Sequence, residues 1–195
     1  MDLTHLRLDE LLHLVGDLLT DRGAEVEAVA IGGGSLLLLG LIERPTRDLD
    51  LVAILEQGLL RRAEPMPSLL RQAVEDVARL RGLDEHWINA APSSLLNQGL
   101  PEGFMARAQR RDYGGLILHL ASRVDQIAFK LYAAVDQGPL SKHAADLQRL
   151  EPTAGELLEA AARTRIQDPS YGFQSLLVEV LAHFGVQEEG GSLAK

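Results

Sequence analysis

A chain of 195 residues supports one ordinary domain, or one domain with a small helical annex, and is too short for two full domains. With 46% hydrophobic and 24% charged residues it is neither disordered nor fibrous, and the absence of cysteine excludes disulfides, thiolate metal sites and cysteine nucleophiles. A formal net charge of −9 disfavours general attraction to nucleic acid, which depends on neutralising phosphates with lysine and arginine.

The first apolar pattern, Leu6, Leu11, Leu14, Val15, Leu18 and Leu19, recurs at helical spacing with acidic residues between, so residues 4–21 are expected to form an amphipathic helix ended by Gly23. No basic leader or small-residue cleavage site precedes it, and charges interrupt every apolar run short of the ~20 residues that span a bilayer. A cytoplasmic protein without a membrane segment is expected. "EVEAVAIGG" reads as a strand entering a glycine turn, with Ser35 as the N-cap of a short helix "LLLLGLI". "RDLDLVAIL" follows as a second strand, in which Asp48 and Asp50 alternate with Leu49 and Leu51.

Pro65 and Pro67 mark a loop, and a helix runs from Ser68 to its glycine stop at Gly82. "HWINAAP" is a short buried strand in which Trp87 packs into the core. Residues 93–115 are a loop-rich connection with room for a short helix, and Arg107, Arg110 and Arg111 within it are most simply a solvated basic turn. "LILHLAS" is a further strand. A helix then opens with the capping-box spacing Ser122 to Asp125, and three more helical segments follow, one with a second capping box from Thr153 to Glu156. The order implies an α/β or α+β core over residues 1–120, a helical C-terminal part over 121–185 and a frayed polar tail over 186–195.

Chemistry concentrates in "IGGGSLLLLGLIERPTRDLDLV", Ile31 to Val52. A strand running into Gly32, Gly33 and Gly34 lets the backbone approach a phosphate closely. The stretch is not a P-loop, since no lysine precedes Ser35, and not a dinucleotide fingerprint, since Leu37 stands where a glycine is required. In a strand, Asp48 and Asp50 would share one side with Cα atoms ~6.5 Å apart, so both carboxylates reach one or two hard cations. Aspartate is a poor strand former, and two like charges on one face repel unless something neutralises them.

"GGGS", twelve residues, then "DLDL" resembles the signature of the nucleotidyltransferase superfamily, the polymerase-beta-like fold, and is closest to the AbiEii-type toxin nucleotidyltransferases. "DQIAFKLYAAVDQGPLSKHAADLQRL" is similar to the downstream region of the same group, so the resemblance covers roughly residues 26–150. It implies a mixed sheet flanked by helices, and a nucleoside triphosphate whose phosphates lie near Gly33, Gly34 and Ser35. Magnesium, or manganese, would sit on Asp48 and Asp50. A nucleotide would be transferred to a hydroxyl of RNA, protein or a small molecule, with pyrophosphate leaving. Arg47 or Arg44 would contact phosphate or pair with the aspartates. Lys130 and Asp146 match the group's later lysine and aspartate, whereas its lysine-aspartate dipeptide is replaced by Lys142 and His143. The superfamily's third carboxylate has no clean counterpart, since capping explains Asp125. The toxin resemblance further implies a DNA-binding antitoxin as partner.

Overall fold

The computed structural model describes residues 2–187, which divide between Ser122 and Arg123 into two compact units. Of the tail expected over 186–195, residues 188–195 lie outside the described residues, whereas Val186 is buried and its N–H donates to the Leu181 carbonyl at 3.0 Å, so it packs rather than frays. Among the described residues no helix is long and apolar enough to cross a membrane.

The first unit begins with α1, His5–Asp21, whose N-cap Thr4 accepts a hydrogen bond from the Arg7 amide. Its buried stripe is Leu8, Leu11, Leu12, Val15, Gly16 and Leu19, and Leu6 is 76% exposed, so the helix is turned from the face its leucines suggest. Gly16 supplies the reason. A Cβ there would sit 1.5 Å from the Tyr113 carbonyl oxygen, and only glycine lets α1 approach that backbone so closely.

Strand β1, Val26–Ile31, leads directly into α2, Gly32–Leu38. β2, Leu49–Glu56, turns through Gln57 and Gly58 into β3, Leu59–Arg62. Helix α3, Ser68–Arg81, stops at Gly82 in the left-handed conformation, as its glycine signal predicts. β4, Ile88–Asn89, is followed by a 3-10 segment Ala91–Gln98, then α4, Phe104–Arg107, β5, Gln109–Asp112, and β6, Leu116–Leu120. The expected basic turn is therefore partly strand, with Arg110 and Arg111 on the edge of the sheet.

The sheet is six-stranded and mixed, in the order β3-β2-β1-β6-β5, with β4 also on β2. β1 pairs antiparallel with β2 and parallel with β6, while β4 runs parallel to β2 through Leu49↔Ile88 and Asp50↔Asn89. One edge of β2 is thus shared, by β3 along its later half and by β4 at its start. Trp87 is buried in this core, and its indole N–H donates to the Val74 carbonyl at 3.2 Å.

The second unit is helical: α5, Arg123–Gln137, α6, Lys142–Arg149, α7, Ala154–Gln167, and α8, Tyr171–His183. Side chains of Ser141, Thr153 and Ser170 cap the last three, and Thr153 with Glu156 forms the expected capping box. Arg123 ties the start of α5 to the others, donating to the Leu150 and Glu151 carbonyls and to Glu156.

Candidate functional site

The glycine turn and the aspartates are built against each other. Gly32 takes a left-handed φ of 78° immediately after β1, so the chain turns into α2 without an intervening loop. A Cβ at Gly32 would stand 2.6 Å from Asp50 Oδ2; one at Gly34 would stand 2.7 Å from the Asp48 carbonyl oxygen. A Cβ at Gly33 would meet Thr46 Oγ1 at 3.1 Å. Three successive glycines are therefore what lets the segment from Thr46 to Asp50 lie on the start of α2.

This early turn corrects the expectation that Ser35 is an N-cap. The cap is Ile31, with extended backbone and no side-chain hydrogen bond, and Ser35 falls inside the helix. Ser35 is fully buried, and its Oγ finds no hydrogen-bond partner among the described residues. Such an orphaned hydroxyl is uncommon enough to mark the place where it sits. Gly33 and Gly34 are also buried, whereas Gly32 is half-buried.

Asp48 and Asp50 are both half-buried and flank a fully buried Leu49, with Asp48 just before the strand and Asp50 within it. The strand itself begins at Leu49, two residues after the start of "RDLDLVAIL", and the Leu49 N–H donates to the Trp87 carbonyl at 2.7 Å. The Asp48 carbonyl instead accepts from Thr46 Oγ1 at 3.3 Å, and that hydroxyl also lies 3.4 Å from Asp48 Oδ1. Thr46 is buried and bridged to Leu3 through both backbone groups, so it anchors Asp48 from a fixed point. The sequence signal for it was present, as the threonine of Arg44-Pro45-Thr46.

Of the two arginines, Arg47 is 89% exposed and stands 3.9 Å from Asp2. Arg44 is the one at the turn, its Nη2 3.6 Å from the place a Gly33 Cβ would occupy. The donors here are hard oxygens, two carboxylates with a threonine hydroxyl beside them, a set that suits magnesium or manganese rather than zinc or copper. Among the described residues no group of three or more histidine, aspartate or glutamate side chains is arranged to hold a metal. Two carboxylates still fit magnesium, which is commonly bound through one or two of them together with substrate phosphates.

Lys130 and Asp146 meet within the second unit. Lys130 Nζ donates to Asp146 Oδ2 at 2.8 Å, and the two side chains are 6% and 0% exposed, a closed ion pair between α5 and α6. Asp125 is likewise fully buried, with Arg163 Nη1 at 3.7 Å. His119, isolated in the sequence, is hydrogen-bonded to Glu27 across the parallel pair β1 and β6.

Asn89 is the site neighbour that sequence reasoning missed. It is the register partner of Asp50, and its only signal was a polar residue inside the apolar "HWINAAP". No protein-family model, curated protein or solved structure matches the chain.

Proposed function

We propose that the protein is a magnesium-dependent nucleotidyltransferase, moving a nucleotide from a nucleoside triphosphate to a hydroxyl acceptor. The observation that carries this reading is the close contact of Gly32 with Asp50, which makes the glycine turn and the paired aspartates one constellation. Magnesium, or manganese, bound by Asp48 and Asp50 would neutralise charge on the phosphates and favour departure of pyrophosphate.

The remaining work falls to the chain's own groups. Gly33 and Gly34 are packed under the segment from Thr46 to Leu49, so half-buried Gly32 is where the glycine turn would meet a phosphate, beside the Asp50 carboxylate. Thr46 holds Asp48 in place, and Arg44 brings a guanidinium to the same turn, where it balances the charge of the phosphates. The acceptor oxygen bonds to the α-phosphorus as the bond from that phosphorus to the bridging oxygen breaks. Pyrophosphate leaves with the electron pair, and the acceptor proton passes to water.

One observation favours a second reading, a nucleotidyltransferase-like protein that binds a nucleotide or a protein partner without turnover: no third carboxylate joins the pair among the described residues. Transfer of each labelled nucleoside triphosphate, with magnesium, by wild type, Asp48→Asn and Asp50→Asn separates the two. The transferase reading expects label on an acceptor with wild type and a loss of about 100-fold or more in each variant. Magnesium-dependent nucleotide binding without any transfer would support the second reading instead.

A further inference from the structure

We propose that the cleft beside β4 is the acceptor subsite of this enzyme, that Asn89 joins it to the metal-binding aspartates, and that the acceptor is a small hydroxyl compound without anionic groups. The inference rests on the transferase reading and narrows its acceptor.

Asp50 and Asn89 are register partners in the parallel pair of β2 and β4, so their side chains stand on one face of strands about 4.8 Å apart. Asn89 Oδ1 accepts from the Ala91 N–H at 2.9 Å, which fixes the amide with its oxygen engaged and its NH2 as the remaining donor.

The same residue lines a cleft of about 480 Å³, together with Glu64, Met66, Arg71, His86 and Ala91. That volume suits one small molecule. Glu64, Glu75 and Glu85 face it with Arg71 as the single arginine of the lining, and Arg71 is already held by Glu75 at 2.9 Å. A phosphate-rich acceptor would meet carboxylates without an uncommitted arginine, the opposite of what binding nucleic acid requires. A neutral or cationic hydroxyl compound meets no such repulsion. The Asn89 NH2 donates to its hydroxyl oxygen, and a second lone pair of that oxygen forms the bond to the α-phosphorus. The bond to the bridging oxygen breaks, pyrophosphate leaves, and the hydroxyl proton goes to water.

The test offers wild type, Asn89→Leu and Ala91→Trp magnesium and α-labelled nucleoside triphosphates with three separate fractions of a cell extract: RNA, protein, and a small-molecule ultrafiltrate. Ala91 is exposed, so Ala91→Trp blocks the cleft without disturbing the core. Label is expected in the ultrafiltrate products, reduced about tenfold or more in both variants, because misplacing the acceptor removes the gain from proximity. Equilibrium dialysis should show nucleotide binding kept within about twofold in Ala91→Trp, whose exposed side chain lies outside the glycine turn and the aspartate pair. Label on RNA or protein overturns the proposal and leaves the transferase reading standing. Undiminished labelling of small molecules by Ala91→Trp overturns the location, and no transfer by wild type to any fraction overturns both.

Discussion

Gly32 is the residue on which the site turns, because it answers for two demands at once: a left-handed backbone and space for Asp50. Gly58 has nearly the same φ, 79° against 78°, but nothing within 4 Å of a Cβ. Gly58→Ala should therefore cost only the conformational penalty, ~1–2 kcal/mol, and leave metal binding unchanged. Gly32→Ala should pay that penalty and also displace the Asp50 carboxylate, weakening manganese binding in a calorimetric titration by about tenfold or more. Equal manganese affinity in the two variants would separate the glycine turn from the metal. At Lys130 the expected effect is on stability. Lys130→Met leaves the Asp146 carboxylate buried beside Arg149 at 3.8 Å and without its lysine, at a cost of ~3–5 kcal/mol in denaturant unfolding. Lys130→Met with Asp146→Leu removes both charges and should recover most of that loss.

At the scale of elements, α7 carries a pH signature. Hydrogen bonding from Arg123, then from the Thr153 amide, lowers the Glu156 pKa from 4.5 to about 2. A carboxylate depressed on folding stabilises fully above its unfolded value, and the stabilisation drains away as pH falls from about 4.5 toward 2. Acid unfolding of Glu156→Gln should be less steep than wild type across that range, and unchanged steepness would mean the Arg123 contact contributes nothing. The cap that produces this effect was legible as Thr153 to Glu156 in the sequence, because a capping box is local. Helix α3 and its Gly82 stop were legible for the same reason. β3 was not: its turn uses Gln57 at a positive φ of 52° rather than the usual asparagine or aspartate, and its exposed Leu59 and arginines show no alternation. The buried face of α1 was not legible because its phase is set by a backbone 97 residues further along, where Tyr113 meets Gly16. Local spacing carries no information about such a neighbour.

For the molecule as a whole, both halves of the candidate site were legible in the stretch from Ile31 to Val52, because β1, α2 and β2 are consecutive in the chain. Their mutual fit was not legible, nor was the neighbour Asn89, since that pairing depends on β4 taking the part of the β2 edge that β3 leaves uncovered, after α3 intervenes. If the glycine turn and the paired aspartates form a single magnesium and nucleotide site, as proposed, titrating wild type and Asp50→Asn with a non-hydrolysable nucleoside triphosphate, with and without magnesium, will show it. Binding by wild type should require magnesium and fall about 100-fold or more in Asp50→Asn. Equal affinity with and without magnesium, or an Asp50→Asn variant that binds as tightly as wild type, would rule out a shared site.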